Sequence, residues 1–233
     1  NMLTASAFQL LFNCSLNLKE LYLSQNNLVL SSLYYSDFPS LDILDLSYNN
    51  MTSSIFQGNF NYIPKLRELY LSGCSLTDES FLVPSASIQN SSSSLVTLDL
   101  SNNLMKSEAI FHWLFNFTTN LHSLSLFGNL SERVPGGFAK VMNSLEFLSL
   151  SRNKFQGEIP VFLGNICTLK ELYLSNNNFS GEISIFIQNS SWCNRHVFQT
   201  LDLSNNQIIG VLPESIGLLN ELQYLHLDGN HLE

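Results

Sequence analysis

The chain has 233 residues, of which 45% are hydrophobic and only 12% are charged, and its formal net charge is −9 with a pI near 4.9. This acidity makes nucleic acid and anionic membrane surfaces unsuitable partners, because both repel a negatively charged surface. No apolar run reaches the length of a membrane span, and no basic-plus-apolar signal peptide is present. We therefore expect a mature or excised piece whose membrane attachment depends on a flanking helix.

One eleven-residue phrase, L-x-x-L-x-L-x-x-N-x-L, recurs nine times along the chain. Its copies are spaced by 23 to 29 residues and begin at Leu18, Leu41, Leu66, Leu95, Leu121, Leu145, Leu169, Phe198 and Leu222. This phrase and period are the signature of leucine-rich repeats, whose alternating apolar residues form one short strand per repeat. The sequence predicts an α/β solenoid, a curved superhelix with a parallel β-sheet on its concave face and an irregular or 3-10 convex side.

The ninth position of the phrase is an asparagine in every repeat except the third. There the chain turns away from the sheet, and an inward amide has both the donor and the acceptor that turning backbone groups need. We expect these residues to form a buried ladder in which Cys74, as a small weakly donating thiol, replaces the amide. The predicted ladder is Asn26, Asn49, Cys74, Asn103, Asn129, Asn153, Asn177, Asn206 and Asn230.

The connectors of the last repeats share the pattern G-x-I-P or a close variant, with glycines at 157, 181 and 210. Glycine allows a tight bend there, and proline fixes the extended step that follows. This resembles the plant-specific class of leucine-rich repeats, in which the G-x-I-P segment forms a second small sheet. We expect one domain over 1–233 without caps: a partial repeat at 1–17, irregular repeats with helical turns and no second sheet at 18–120, and plant-type repeats at 121–233.

Uneven repeats, Ser- and Asn-rich connectors and the SLxxLSLSxNxFxGEIP run together resemble plant receptor-like proteins, a family that includes receptors for fungal xylanase. The resemblance implies an extracellular glycoprotein that is anchored in the plasma membrane in its full-length form and serves signal transduction and plant defence. It also implies a protein or peptide ligand and a co-receptor as partners. Receptor kinases share this kind of ectodomain, so the signalling tail stays open, as does an immune or a developmental role.

Cysteines and glycosylation signals fit an oxidising, extracellular setting. Cys167 and Cys193 end adjacent connectors, and we predict that they form a disulfide, whereas Cys74 lies in the core and Cys14 is unpaired. Seven N-x-S/T sequons occur, and one of them coincides with the predicted ladder at Asn129. The remaining candidates for glycans are Asn13, Asn50, Asn90, Asn116, Asn178 and Asn189.

The exposed face of the predicted sheet is the better place to look for function, since no catalytic phrase, metal-ligand spacing or cofactor signature is present. We therefore expect neither enzymatic activity nor a cofactor. Aromatic side chains beside carboxylates provide contact surfaces for a protein or a peptide. The candidate ligand-binding residues are Tyr22, Tyr48, Tyr70, Phe127, Phe147, Arg152, Tyr173, Asp202 and Tyr224.

Two functional interpretations follow. The first is the ligand-recognition segment of a plant cell-surface receptor. The second is a secreted inhibitor of a cell-wall-degrading enzyme, of the polygalacturonase-inhibitor type, which also uses an acidic repeat face. That class has regular G-x-I-P repeats near 24 residues, and the 29-residue intervals that begin at Leu66 and Leu169 argue against it.

Overall fold

The computed structural model describes residues 11, 16–30, 38–52, 65–82, 94–115, 120–128, 130–131 and 133–233. Backbone contacts divide the chain into two compact units, Asn1–Leu121 and His122–Glu233. Each unit is a stack of repeats, and the two are described in turn. The organisation as one domain without caps stays a prediction.

Each repeat contributes one three-residue strand to a main parallel sheet, and several repeats contribute a second strand from the connector. In the first unit the strands are β1 (Glu20–Tyr22), β2 (Val29–Leu30), β3 (Ile43–Asp45), β4 (Asn50–Met51), β5 (Glu68–Tyr70) and β6 (Thr97–Asp99). In the second unit they are β7 (Ser123–Ser125), β8 (Phe147–Ser149), β9 (Gln156–Glu158), β10 (Glu171–Tyr173), β11 (Asn178–Glu182), β12 (Thr200–Asp202), β13 (Gln207–Gly210), β14 (Tyr224–His226) and β15 (His231–Leu232).

The first unit orders its main strands β1-β3-β5-β6, all parallel. Its connectors include a 3-10 helix, Asp78–Phe81, and an α-helix, Ala109–Phe115. They also include a second parallel sheet in which β2 pairs with β4. The expectation that 18–120 lacks a second sheet is therefore wrong. The pairing needs only two short extended segments in adjacent repeats, here Val29–Leu30 and Asn50–Met51. It does not require the G-x-I-P motif.

The second unit orders its main strands β7-β8-β10-β12-β14, and a second parallel sheet runs β15-β13-β11-β9. The second sheet follows the G-x-I-P pattern, as the resemblance to the plant-specific class implies. The connectors then form 3-10 helices at Val161–Asn165 and Glu214–Leu218. They form α-helices at Phe138–Val141 and Ile183–Asn189. The side opposite the main sheet is thus more helical than the sequence predicts.

In the repeats before the last, the leucines at the fourth and sixth positions of the phrase are buried between the strands and the connectors, whereas Leu225 of the last repeat is 37% exposed. The central leucine of each strand pairs with its counterpart in the next repeat, as Leu172 does with Leu148 and Leu201. Leu148, Leu172 and Leu201 are all fully buried. One repeat alone exposes this apolar row, so stacking is what stabilises the strands.

The asparagine ladder has the same hydrogen-bond pattern in repeat after repeat. Asn177 Nδ2 donates to the carbonyls of Leu174 in its own repeat and Leu150 in the preceding one, both at 3.0 Å. Its Oδ1 accepts from the backbone N–H of Phe155 at 3.2 Å. The same bonds to both repeats recur at Asn49, Asn103, Asn153, Asn206 and Asn230. One side chain therefore satisfies backbone groups of two repeats, while Asn129 lies outside the described residues.

The Cys74 thiol replaces the hydrogen-bond donor of the ladder amide but not its acceptor. This thiol lies 3.2 Å from the Leu46 carbonyl of the preceding repeat, and burial raises its pKa to about 11. A thiol offers no acceptor comparable to an amide oxygen. The backbone N–H of Met51 donates instead to the Cys74 carbonyl at 3.0 Å. The chain thus compensates for the missing acceptor with a backbone bond.

The phrase of the fifth repeat ends one residue earlier than its alignment with the other phrases indicates. The phrase LHSLSLFGNLS places Ser131 at the last apolar position, yet Leu130 is buried and Ser131 is exposed. The Leu130 N–H donates to Asn153 Oδ1 at 2.7 Å, as the last apolar residue of the other repeats does. Burial of a leucine outweighs strict spacing here.

The residue before each ladder position has a left-handed backbone in every repeat. Glycine occupies this place at 73, 128 and 229, and asparagine at 102, 176 and 205, with φ between 54° and 100°. Both residues tolerate this region, whereas Gln25, Tyr48 and Arg152 pay a steric cost on the order of 1–2 kcal/mol. Tyr48 and Arg152 contact neighbouring repeats, which offsets part of that cost.

The Cys167–Cys193 disulfide ties two consecutive connectors of the second unit. The two Cα atoms lie 4.9 Å apart across a sequence separation of 26 residues. Trp192 packs beside the bridge, with its ring centroid 5.4 Å from Phe186 and 5.2 Å from Phe198, and its indole N–H donates to the Ile187 carbonyl at 2.8 Å. Cys14 lies outside the described residues.

Asn177→Ala should lower the free energy of unfolding by about 1–3 kcal/mol, because it leaves buried backbone groups of two repeats unsatisfied. The matched control is Asn176→Gly, since Asn176 is exposed and glycine suits its φ of 55°. Urea denaturation measures both changes. Equal losses in the two variants would contradict the ladder.

The disulfide should protect two of the four cysteines from alkylation. Intact-mass analysis of the denatured, unreduced chain should show modification of Cys14 and Cys74 only. Replacing Cys167 and Cys193 together by serine should lower the unfolding free energy by about 2–4 kcal/mol, because the unfolded chain regains the entropy of an open loop. Alkylation of Cys193 without reductant would disprove the bridge.

Candidate functional site

Two sets of strand side chains point away from the core and define the candidate surfaces. The first face, in the first unit, consists of Glu20, Tyr22, Ile43, Asp45, Glu68, Tyr70, Thr97 and Asp99. The second face, in the second unit, consists of Ser123, Ser125, Phe147, Ser149, Glu171, Tyr173, Thr200, Asp202, Tyr224 and His226. Strand alternation places these side chains opposite the buried leucines.

Three tyrosines of the faces are held by the glutamate two residues before them in the motif E-L-Y. The Tyr70 hydroxyl donates to Glu68 Oε2 at 2.8 Å, and the Tyr173 hydroxyl donates to Glu171 Oε2 at 2.8 Å. Tyr22 makes a longer contact of the same kind with Glu20, at 3.3 Å. These bonds fix the ring orientations along the strand before any partner arrives.

Burial and the neighbouring carboxylate keep the Tyr70 and Tyr173 phenols protonated. Partial burial, and then the hydrogen bond to and charge of Glu68, raise the pKa of Tyr70 to about 12. Partial burial and Glu171 raise the pKa of Tyr173 to about 12 in the same way. Both hydroxyls are therefore donors across the physiological pH range.

The aspartates of the faces serve the turns that follow their strands. Asp45 Oδ1 accepts from the Ser47 N–H at 2.9 Å, and Asp99 Oδ1 accepts from the Ser101 N–H at 2.8 Å. Asp202 Oδ1 accepts both the N–H and the hydroxyl of Ser204, at 3.0 and 2.7 Å. Such local bonds stabilise turns. The structure therefore gives Asp202 a structural partner, beside its candidate role in ligand binding.

Tyr48 lies three residues after the end of β3, outside the first face, with 53% of its surface exposed. A Cβ added to Gly73 would lie only 2.7 Å from Tyr48 Cδ1, so the ring packs directly on this glycine. A strained tyrosine in contact with a glycine of the next repeat is a fixed, exposed aromatic surface. Strain of this kind is often retained at functional positions.

The second face carries an aromatic pair that bridges two repeats. The Phe147 and Tyr173 ring centroids lie 5.4 Å apart at an interplanar angle of 44°. Both rings are half-buried, and Glu171 holds the Tyr173 hydroxyl. Aromatic contacts at this distance are favourable by about 0.5–1.5 kcal/mol beyond burial. The pair therefore forms a rigid apolar centre with one polar edge.

A cation–aromatic contact lies just after the carboxyl-terminal ends of β7 and β8. The Arg152 guanidinium carbon lies 5.2 Å from the centroid of the Phe127 ring. The contact contributes roughly 0.5–1 kcal/mol at an exposed position. Arg152 has a left-handed backbone with φ of 54°, so the contact and the turn fix its direction together.

The second unit also exposes a lysine–glutamate pair and a further tyrosine. Lys170 Nζ lies 2.6 Å from Glu146 Oε2, and both side chains are about 40% exposed. Tyr224 is 58% exposed and belongs to β14. The region thus combines donors, carboxylates and aromatic rings.

The structure brings together Phe147 with Tyr173 and Arg152 with Phe127, and it holds Tyr22 and Tyr70 beside their own glutamates. Reasoning from the sequence did not find the Phe147–Tyr173 pair or the Glu146–Lys170 pair. A signal for both exists, because strand pairing in register places Phe147 opposite Glu171, two residues before Tyr173. The same pairing makes positions 146 and 170 neighbours.

Three predicted glycosylation positions, Asn50, Asn178 and Asn189, are exposed, so a glycan on each would extend into solvent. Asn13, Asn90 and Asn116 lie outside the described residues. No helix in the described part of the chain has the length and apolar character needed to cross a membrane.

Models of the leucine-rich-repeat family match the chain over residues 16–76, 144–166, 168–190 and 198–219. Together these segments cover more than half of the chain. The chain belongs to the leucine-rich-repeat family. The recurring phrase, the parallel main sheets and the asparagine ladder all agree with this family.

Within the family, the chain is similar to plant receptor-like proteins. It is 36% identical over 146 residues to receptor-like protein EIX1 of Solanum lycopersicum, an alignment that covers 60% of this chain and 14% of EIX1. The alignment thus spans only about one seventh of the length of that relative.

Solved ectodomains of plant receptors have the same fold. The Arabidopsis receptor kinase HAESA, in complex with the peptide hormone IDA and the co-receptor SERK1, is 28% identical with a TM-score of 0.61, covering 99% of this chain and 40% of HAESA. The plant peptide hormone receptor RGFR1, in complex with RGF2, has a TM-score of 0.65 at 22% identity, covering 93% of this chain and 33% of RGFR1. The RGFR1 comparison supports the fold alone.

Stability should fall as the pH is raised from 9 to 12, partly through Tyr173. Its pKa in the folded chain is about 12 against an ordinary value of 10.0, so its contribution is present below pH 10 and lost as the pH rises through 12. Urea midpoints at pH 9 and pH 11 should differ less in Tyr173→Phe than in the wild type. An identical pH dependence would show that the phenol is not perturbed.

Proposed function

We propose that the chain is a ligand-recognition segment of a plant cell-surface receptor and that the second face binds a protein or a peptide. The observation that carries this proposal is the Phe147–Tyr173 pair, with ring centroids 5.4 Å apart and the Tyr173 hydroxyl held by Glu171. Exposed aromatic rings that are already fixed lose little side-chain entropy on binding. They are also the residue types that dominate interface energies.

Polar groups around the pair supply specificity. Arg152 over Phe127 provides a cation, and Lys170, Glu146 and Tyr224 add donors and acceptors around the centre. A central apolar contact with a polar rim is the usual arrangement of protein interfaces. We propose Tyr22, Tyr48 and Tyr70 as a separate contact region in the first unit.

The comparisons support this proposal at the level of receptor class. EIX1 is a receptor-like protein, and the HAESA ectodomain was solved with a peptide hormone and a co-receptor bound. We accordingly propose an extracellular location, a flanking membrane anchor and recognition without catalysis or a cofactor. We favour an immune role, because the sequence identity is 36% with EIX1 and 28% with HAESA.

The test uses Phe147→Ala and Tyr173→Ala in the 233-residue chain, with Gln188→Ala as the matched control. Gln188 is exposed on the helix Ile183–Asn189, away from the main sheet. Three probes are compared by calorimetry: a purified fungal xylanase, a synthetic IDA peptide and a fungal polygalacturonase. Each variant is first required to keep the parental melting temperature.

We expect the xylanase to bind and each face variant to weaken it at least about tenfold, because central aromatic residues contribute most of an interface's energy. The control should bind within about twofold of the wild type. Binding of the IDA peptide alone would favour a developmental role, and inhibition of the polygalacturonase would favour the inhibitor interpretation. Unchanged binding by both face variants, or no binding of any probe, would contradict the proposal.

A further inference from the structure

The tyrosines and aspartates of the first face form one alternating column across its four strands. Strand pairing in register places Tyr22 beside Asp45, Asp45 beside Tyr70, and Tyr70 beside Asp99. Tyr22 is 58% exposed, and the other three side chains are half-buried. These four residues are named the tyrosine–aspartate column. Asp45 therefore has a tyrosine on each side, and Tyr70 has an aspartate on each side.

Both kinds of side chain in the column are oriented before a partner binds. The Tyr70 hydroxyl donates to Glu68 Oε2 at 2.8 Å, which holds the ring along its strand. Asp45 Oδ1 and Asp99 Oδ1 accept from the backbone of the turns that follow their strands. A carboxylate has about four acceptor sites, so a turn bond leaves capacity for a further donor. The column thus presents ring surfaces beside carboxylates that can each accept a cation.

The charge of the first face selects a cationic partner. Its carboxylates are Glu20, Asp45, Glu68 and Asp99. All ten lysines and arginines of the chain lie in its described part, and none of them is on this face. Lys19 and Arg67 precede β1 and β5 by one residue, so they lie roughly 10 Å along the strand from the column. At the column itself, charge complementarity therefore favours a partner that brings its own cations.

The two aspartates set the distance between those cations. Asp45 and Asp99 belong to β3 and β6, with only β5 between them, so they lie about 9.6 Å apart at a strand spacing near 4.8 Å. A polyproline II helix has three residues per turn and a rise of about 3.1 Å, which places residues i and i+3 on one side about 9.3 Å apart. An extended β-strand places side chains on one face about 6.8 or about 13.6 Å apart. The polyproline II conformation therefore matches the column, and the β-strand does not.

We propose that the tyrosine–aspartate column binds a peptide in the polyproline II conformation with arginines at positions i and i+3, as in the sequence R-P-P-R. One arginine pairs with Asp45 between the rings of Tyr22 and Tyr70, and the other pairs with Asp99 beside Tyr70. Arginine suits both places, because its planar guanidinium stacks on an aromatic ring and pairs with a carboxylate. The inference rests on the contact region that we propose for the first unit, and it names the chemistry of the ligand.

The two residues between the arginines lie over Tyr70 in this arrangement. Proline is the residue expected there, since polyproline II peptides dock on aromatic surfaces and are already ordered before binding. The Tyr70 hydroxyl is bonded to Glu68, so the ring surface rather than the hydroxyl makes the contact. The first face thereby differs from the second face, where the centre is an aromatic pair.

The probe is a fluorescein-labelled peptide, PPRPPRPP, which is titrated into the 233-residue chain and followed by fluorescence anisotropy. Two control peptides test the spacing. PPRPRPPP has the same composition with its arginines at i and i+2, and an alanine-based helical peptide has them at i and i+7, about 10.5 Å apart. We expect saturable binding of PPRPPRPP that is at least about fivefold tighter than that of either control, since only this peptide reaches both aspartates in an ordered conformation. This comparison needs only the wild-type chain.

Variants of the chain test the charges and the ring separately. Asp45→Asn and Asp99→Asn remove a charge and keep the Oδ1 that each turn uses, and each should weaken PPRPPRPP about threefold to tenfold. The matched control is Glu79→Gln, which changes the net charge equally at an exposed position of the 3-10 helix Asp78–Phe81 and should bind within about twofold of the wild type. Tyr70→Ala should weaken binding about tenfold, whereas Tyr70→Phe, which keeps the ring, should stay within about threefold.

The second face provides the control that separates this inference from the proposed function. Phe147→Ala should leave the affinity for PPRPPRPP within about twofold of the wild type, because Phe147 is on the second face. Absence of saturable PPRPPRPP binding would overturn this inference alone if the xylanase still binds. Equal binding of a spacing control, equal effects of Glu79→Gln and Asp45→Asn, or loss of peptide binding in Phe147→Ala would also overturn it.

Discussion

The structure depends on a side-chain amide that, in six of the described repeats, bonds the backbone of two repeats at once. A strand of three residues makes too few backbone hydrogen bonds with its neighbouring strands to be stable alone. The turn after each strand leaves further backbone groups without partners. Asn177 meets this need through Leu174, Leu150 and Phe155. The amide therefore fixes both the turn and the stacking of the next repeat, and the leucine core forms because the stacking holds.

The ladder also explains how neighbouring repeats bring particular exposed side chains together. Since buried groups define the register, the outward positions are free to vary, and neighbouring repeats bring chosen pairs together. Phe147 reaches Tyr173 in this way, and Arg152 reaches Phe127. The tyrosines are held further by glutamates within the same strand. Side chains held in this way are ordered before binding, as the proposed recognition role requires.

The sequence predicts the features that recur in the repeats, and it does not predict features found in only one or two of them. The phrase predicts the main strands and the ladder of the described repeats, because these repeats bury equivalent leucines. It fails for β2 and β4, since two short extended segments pair without any motif. It misplaces the end of the fifth phrase because a one-residue deletion is visible only through the burial of Leu130. The aromatic pairs depend on distances between repeats, which spacing alone does not specify.

The measurement that tests the account most directly is amide hydrogen exchange followed by NMR. The N–H groups of Phe155, Phe179 and Ile208 donate to ladder oxygens rather than to a strand. If the amides hold the repeats together, these protons exchange as slowly as those in the centres of β10 and β12, and Asn177→Ala accelerates exchange at Phe155. Rapid exchange at all three in the wild type would contradict the claim that the ladder holds the solenoid.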